Sequence, residues 1–208
     1  MKFLIALALL FLQSDTFTKL TYCHDLSRGP YELQCVELNP AGSGTVWFKR
    51  RGMDEVKVTV TLSAAARERF VAAVAATSYL ADDESWESSM KVADLGMKNL
   101  TIDTASGPRK KSYNYSKRPE VIALAGFFDG VINAETISFE VDTMLQFDKL
   151  GIPKKVEQIG NELKSSRIAD PERMIPILEK IQKDQRLVNY ARANAGKMKD
   201  DILAKKKP

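Results

Sequence analysis

Alternating apolar and polar positions mark the first part of the chain, and a later short segment, as strands. The clearest alternation runs from Val56 to Leu62, where aliphatic residues on one side face lysine and threonine on the other. Turns rich in Gly, Pro, Asn and Ser separate neighbouring strands, so we predict an antiparallel sheet of about six strands. The remaining strand patterns lie at residues 17–24, 31–38, 45–49, 97–103 and 109–115.

Apolar residues recur at helical spacing in two segments close to these strands. Ser63 is a suitable N-cap for a helix over residues 64–76, and the apolar stripe of that helix should pack on the sheet. A second helix is expected to begin near Pro119, because proline suits the first helical turn. The stripes consist of Ala66, Phe70, Val71 and Val74 in the first helix and of Val121, Leu124, Phe128 and Val131 in the second.

After about residue 134 the chain carries helical stripes and no strand pattern. Asp170 followed by Pro171 is a start signal in which the aspartate side chain caps a helix, and Pro176 predicts a kink or a late start. The fold class is therefore α+β, an antiparallel sheet with helices on one face, followed by an all-helical C-terminal region. The stripes lie at residues 137–148, 156–163, 174–181 and 188–202.

The N-terminus has the pattern of an export signal. Met1 and Lys2 precede an unbroken apolar run from Phe3 to Leu12, and polar residues follow. The run has about half of the roughly 20 residues that a membrane span needs, so we expect cleavage near Ser14, with an uncleaved anchor as the alternative. The product should be soluble and periplasmic or extracellular. We divide the chain into a signal peptide at 1–14, an α+β sheet domain at 15–134 and a helical region with a basic tail at 135–208.

Composition agrees with an ordinary globular protein. Of the 208 residues, 44% are hydrophobic and 28% are charged, which disfavours a disordered or membrane-spanning chain. The net charge of +4 is weakly basic, and much of the excess lies in the last dozen residues. Such an end is typical of a solvated terminus rather than of a nucleic-acid site, so we expect no nucleic-acid partner.

The two cysteines and the one histidine lie in the first predicted hairpin. Cys23 and Cys35 would lie directly opposite each other, close enough for a disulfide, and an exported chain meets conditions in which disulfides persist. Two buried thiols are the alternative. His24 should point to the opposite face from Cys23, which disfavours a Cys-His nucleophile pair, and we expect it to be exposed. Two cysteines and one histidine fall short of a structural zinc site, so no metal ligand is predicted.

Cations and aromatic residues interleave between residues 109 and 118. This mixture is typical of polyanion binding, either to single-stranded nucleic acid or to charged glycans, although export argues against nucleic acid and the tyrosines equally suit packing under a helix. Unchanged retention on heparin after Lys110 and Lys111 are replaced by Glu would contradict the hypothesis. The candidate residues are Arg109, Lys110, Lys111, Tyr113, Tyr115 and Lys117.

Other chemical signals are weak. The acidic stretch around Trp86 supplies carboxylates for a calcium ion, but it lacks the spacing and central glycine of a calcium loop, so a solvated loop is favoured. Its members are Asp82, Asp83, Glu84 and Glu87. We find no phosphate-binding loop, nucleophile elbow or metalloprotease helix, and therefore predict no catalytic or cofactor-binding residues.

Three short motifs carry a resemblance. They are Val92–Gly96, Asn114–Tyr115 and Phe127–Asp129. With them, residues 80–135 resemble uncharacterised exported bacterial proteins that carry a domain of unknown function. The resemblance implies secretion and an α+β fold, and it supplies no activity and no site residues. Residues 168–203 also resemble one hairpin of a HEAT-like helical repeat, although a stable solenoid needs about three repeats.

Function follows only as a hypothesis. Catalytic residue types are scarce and packing patterns abundant, which favours a non-enzymatic exported protein that binds another macromolecule or has a structural role in the cell envelope. Its partner would be a protein or another envelope component. The alternative is a hydrolase or glycan-acting enzyme that uses carboxylates alone. A deep cleft with two facing carboxylates would favour the enzyme, and an exposed apolar patch would favour the binding protein.

Overall fold

The computed structural model describes residues 17–26, 28–78 and 85–205. The predicted signal peptide at 1–14 and the acidic residues 82–84 lie outside this part of the chain. In chain order the elements are strands β1 (Lys19–Asp25), β2 (Tyr31–Leu38), β3 (Ser43–Arg50) and β4 (Glu55–Thr61), helix α1 (Ala64–Ala76), strands β5 (Met97–Thr104) and β6 (Gly107–Tyr113), and helices α2 (Pro119–Phe147), α3 (Ile152–Lys164), α4 (Ile175–Lys183) and α5 (Asn189–Lys205). Short 3-10 turns precede α3 and α4.

The six strands form one antiparallel sheet in the order β4-β3-β2-β1-β5-β6. The first four strands form a meander because short turns connect them, and β5 returns beside β1 after α1. Together with the all-helical region after residue 119, this sheet confirms the predicted α+β class. Strand alternation decides which side chains face the helices, and on β1 these include Leu20 and Tyr22.

The first hydrophobic core lies between the sheet and helices α1 and α2. Phe70 of α1 contacts Phe17 edge-on, with ring centroids 5.6 Å apart. Phe128 of α2 stacks on Tyr22 of β1 at 5.1 Å. These rings are buried, and their contacts seat both helices on one face of the sheet.

Helix α1 spans the residues that the sequence predicts, but its buried stripe is narrower. Ala66, Phe70 and Val74 are buried at successive i, i+4 positions. Val71 lies beside this stripe and is 38% exposed. The prediction that Val71 packs on the sheet is therefore wrong.

Helix α2 connects the two hydrophobic cores. The sequence has separate stripes on either side of residue 134, whereas α2 is one helix of 29 residues. Its first half belongs to the first core, and Ala134, Ile137 and Val141 belong to the second. The predicted domain boundary at residues 134 and 135 thus falls inside a helix. Among the described helices, α2 alone is long and apolar enough to cross a membrane, but 61% of that window is buried in the fold.

The second core is formed by the end of α2 and helices α3, α4 and α5. Helix α4 begins at Ile175 after a 3-10 turn, which confirms the late start predicted from Pro176. The prediction that Asp170 caps this segment is wrong, because its carboxylate is turned away and binds Ser63 instead. The buried apolar side chains of α3, α4 and α5 are Ile152, Val156, Ile159, Ile177, Leu178, Ile181, Ala191, Ala195 and Ile202.

Candidate functional site

A polar cluster forms where α2 crosses β1. Because Phe128 stacks on Tyr22, the next residue of the helix, Asp129, comes within reach of the same strand. The Tyr22 hydroxyl donates to Asp129 Oδ1 at 3.0 Å, and His24 Nδ1 lies 3.8 Å from that oxygen. We call this group, with Lys98 and Tyr113 of the neighbouring strands, the Asp129 cluster.

His24 faces the helices rather than solvent. Its side chain is only 13% exposed, so the prediction of an exposed histidine is wrong. The reason is strand alternation, because His24 lies on the same side of β1 as Tyr22, and Cys23 lies on the opposite side. His24 Nε2 is 3.0 Å from the Leu95 carbonyl oxygen. A carbonyl oxygen only accepts hydrogen bonds, so Nε2 carries a proton and donates to Leu95. Nδ1 is the ring nitrogen that faces Asp129.

Asn114 fastens the loop before β5 to this cluster. Its side-chain oxygen accepts the Leu95 N–H at 2.8 Å, and its side-chain nitrogen donates to the Ala93 carbonyl at 3.0 Å. The Asn114 N–H donates to the Glu87 carboxylate at 2.6 Å. The motifs at Val92–Gly96, Asn114–Tyr115 and Phe127–Asp129 therefore meet at one corner of the sheet. Sequence reasoning identified the motifs but did not bring them together.

Burial and charge set the protonation of the cluster. Burial raises the pKa of Tyr22 and of Tyr113, and the charge of Asp129 raises both further. Burial lowers the pKa of Lys98, against the opposing charges of Asp129 and Glu87. Both phenols therefore keep their protons at neutral pH rather than act as bases or nucleophiles, and Tyr22 donates its proton in a hydrogen bond to Asp129. Lys98 Nζ donates to the Asn114 carbonyl at 3.2 Å, which ties it to the same corner.

A cleft of about 780 Å³ opens beside the Asp129 cluster. Two carboxylates, those of Asp129 and Glu162, line it together with His24 and Arg167. Glu162 accepts from the Asn133 side-chain amide at 3.1 Å and lies 3.6 Å from Arg167. Both carboxylates thus already accept hydrogen bonds from other side chains of the protein.

Cys23 and Cys35 form the predicted disulfide. They lie directly opposite each other in the β1–β2 pair, on the sheet face turned away from the helices. Cys35 is fully buried there, and Trp47 is its neighbour on β3. The disulfide therefore crosslinks two central strands of the sheet.

The basic segment predicted to bind polyanions lies largely on β6, an edge strand of the sheet. Lys111 and Tyr113 share the helix-facing side with Trp86, whose ring centroid lies 5.8 Å from Lys111 Nζ and 6.0 Å from the Tyr113 ring. Tyr113 is 4% exposed and is not available for stacking on a ligand. Arg109 precedes these residues on the same side, while Lys110 points to the other face, and Tyr115 and Lys117 follow the end of β6. The polyanion hypothesis stays a prediction.

The acidic segment is described only in part. Glu87, the described member, accepts the hydrogen bond from Asn114 noted above. Within residues 17–26, 28–78 and 85–205, no three His, Cys, Asp or Glu side chains converge into a group that could hold a metal ion.

Two neighbouring turns between helices form an exposed surface of the helical region, which the sequence did not predict. Lys180 of α4 pairs with Asp142 of α2 at 2.7 Å, which places the C-terminal ends of these helices side by side. We call the two turns that follow, residues 147–151 and 184–188, the helical tip. Phe147 is 81% exposed and Leu150 is 93% exposed. Two large apolar side chains in nearly full contact with water mark a surface suited to binding.

Charged groups surround the helical tip. Arg186 donates to both carboxylate oxygens of Asp184, at 2.8 and 2.7 Å. These hydrogen bonds lower the pKa of Asp184 to about 2, with a smaller contribution from the charge of Lys149. Asp148 accepts the Gly151 N–H at 3.1 Å. Both carboxylates of the tip are thus engaged within the tip itself.

Comparison with known proteins provides no family assignment. No family model matches the sequence, and no curated protein matches it.

Proposed function

We propose that the chain is an exported, non-enzymatic protein that acts by binding a component of the cell envelope. The observation that carries this proposal is the exposure of Phe147 and Leu150 on the helical tip, at 81% and 93%. Burying such side chains against a partner releases ordered water, and leaving them in water gives the folded chain no benefit. Binding is the function that accounts for their position.

Export is supported by two features of the chain. The first is the disulfide between Cys23 and Cys35, since such bonds persist outside the cytoplasm. The second is the apolar run from Phe3 to Leu12 after Met1 and Lys2, which matches a secretory signal. Both features support a periplasmic or extracellular location.

A binding role, rather than catalysis, is supported by the partners of two buried carboxylates and one partly buried carboxylate. Asp170 is 1% exposed and accepts two hydrogen bonds from Ser63. Glu135 is 6% exposed and pairs with Arg173. Glu140 accepts from the Tyr31 hydroxyl at 2.7 Å and pairs with Lys155. Each of these groups connects elements of the fold.

Photocrosslinking in the native host tests the proposal. A photoreactive residue at position 150 should form adducts with an envelope component, whereas the same residue at position 122 should not. Ile122 is a suitable control because it is a 50% exposed apolar residue on α2, the helix that ends at Phe147. Recovery of the protein from the cytoplasm, with both thiols free and Met1 retained, would contradict the proposal.

A carboxylate-based hydrolase is the second candidate, and the cleft lined by Asp129 and Glu162 favours it. Such an enzyme should release soluble fragments from envelope glycan, and both Asp129→Asn and Glu162→Gln should abolish the release. Leu150→Gln, at a residue that does not line that cleft, should leave the rate unchanged. Absence of fragments from the parent protein would remove this candidate.

A further inference from the structure

The apolar side chains of the helical tip project into solvent, since Phe147 is 81% and Leu150 is 93% exposed. Phe147 ends α2 and Leu150 follows one turn later, so both side chains project from the same corner. Val188, in the adjacent turn, is 56% exposed. A projecting apolar corner fits a surface that deforms around it, whereas a rigid protein partner would need a matching cavity.

Two lysines lie beside the exposed pair, and the charge of one of them, Lys149, acts on the Asp184 carboxylate across the tip. Lys149 lies between Phe147 and Leu150 in sequence, and Lys154 lies in the first turn of α3. Within the described part of the chain, neither lysine forms an ion pair, while the nearby Arg186 and Lys183 pair with Asp184 and Glu179. Three cations, Lys149, Lys154 and Arg186, outnumber the two carboxylates of the tip, Asp148 and Asp184, so the net charge next to the apolar corner is +1, which suits an anionic surface.

The size of the apolar patch argues against a second copy of the chain. Three large apolar side chains present roughly 400–500 Å² of surface. A stable protein interface buries about 800 Å² on each partner. Shallow insertion of a few apolar side chains beside lysines is, by contrast, sufficient for reversible binding to a membrane surface.

We propose that the helical tip docks on an anionic phospholipid surface, where Phe147 and Leu150 enter the interfacial region and Lys149 and Lys154 contact the phosphate groups. This inference rests on the proposed function, because it names the envelope component that the chain binds. Binding is reversible and does not involve α2 as a membrane span, since most of that helix is buried in the two cores.

Sedimentation with vesicles tests the inference on the protein as it is recovered from cells. The parent protein should bind vesicles that contain about 30 mol % phosphatidylglycerol and should bind phosphatidylcholine vesicles weakly. Phe147→Gln combined with Leu150→Gln should weaken binding about tenfold or more. Lys149→Gln combined with Lys154→Gln should weaken binding and reduce its dependence on salt. All variants carry the same N-terminal segment, so differences between them report on the tip.

Ile122→Gln is the matched control. It removes an apolar side chain that is 50% exposed and lies 25 residues, or about 37 Å, away along α2. Binding of this variant should equal that of the parent. Nearly unchanged unfolding curves are expected for all variants, because the replaced side chains are exposed or, for Lys149, only partly buried.

Two results would overturn the inference. One concerns vesicles: either the parent and the Phe147/Leu150 variant bind equally, or the parent does not bind anionic vesicles. The other concerns oligomeric state: a dimer in solution that the same variant dissociates would assign the tip to a second copy of the chain. Failure of the proposed function is a separate result. A cytoplasmic location would be detected by cell fractionation, whereas vesicle binding is measured on the purified protein.

Discussion

Asp170, which lies between α3 and α4, accepts two hydrogen bonds from Ser63 at the start of α1. Its carboxylate accepts the Ser63 N–H at 2.7 Å and the Ser63 hydroxyl at 2.9 Å, across 107 residues of sequence. The Ser63 hydroxyl in turn accepts the Ala66 N–H at 3.3 Å, as an N-cap does. The first helix of the sheet region is thus capped through a residue of the helical region, which couples the two cores.

Asp170→Ala should lower the free energy of unfolding by about 3 kcal/mol, because two donors of Ser63 lose a buried charged acceptor. Asp170→Asn should lower the free energy of unfolding by less, since the amide keeps one acceptor oxygen. Urea denaturation at pH 7 measures both effects. Asp201→Ala, an exposed position, is the control and should change stability by no more than about 0.5 kcal/mol. Similar losses from Asp170→Ala and Asp201→Ala would contradict the capping role.

Removal of the disulfide should destabilise the fold by about 3 kcal/mol, the value expected for a crosslink over 12 residues. Cys23→Ala with Cys35→Ala is the suitable variant, because a serine hydroxyl at the fully buried position 35 would add a second cost. Denaturation of the parent with a reductant should reproduce the loss. A double variant as stable as the oxidised parent would show that the crosslink does not support the sheet.

Stability should fall steeply at alkaline pH. Burial raises the pKa of Tyr22, Tyr31 and Tyr113 above their ordinary value of 10.0. Above that pH the unfolded chain loses these protons while the folded chain keeps them, so stability present below pH 10 is lost as pH rises. Each tyrosine contributes a slope of up to about 1.4 kcal/mol per pH unit.

Urea denaturation between about pH 9 and 12 measures this slope. Tyr22→Phe should make the slope shallower. Tyr190→Phe is the control, because that ring is 55% exposed. If both variants have the slope of the parent, burial of Tyr22 does not govern the alkaline loss.

Polar residues and a proline on the edge strand β6 should prevent this strand from pairing with strands of other chains. Pro108 and Lys110 are exposed on this strand, and proline and lysine hinder pairing with a further strand. Pro108→Val with Lys110→Val should therefore increase self-association relative to the parent, measured by light scattering. Lys117→Val, exposed but beyond the strand, should not. An unchanged mass for the β6 variant would mean that other groups protect the edge.

Local pattern was sufficient to predict most elements of the fold. Val56 to Leu62 alternates with period two because one side of β4 faces the core, and Ser63 marks the start of α1 by its hydroxyl. The Cys23–Cys35 pair was also predictable, since the turn between the strands sets their register. These features depend on residues that are close in sequence.

Contacts between distant residues were not predictable in this way. The meeting of His24, Leu95 and Asp129, the turn of Asp170 towards Ser63, and the exposure of Phe147 and Leu150 depend on how separate elements pack. An apolar residue at the end of a helical stripe fits the same sequence periodicity whether or not another element covers it in the fold. The sequence by itself determined the strands, the helices and the crosslink, because local backbone preference and side-chain periodicity specify them. Only the tertiary structure decided which polar groups meet and which apolar side chains stay in water, because that depends on which surfaces the packed elements leave uncovered.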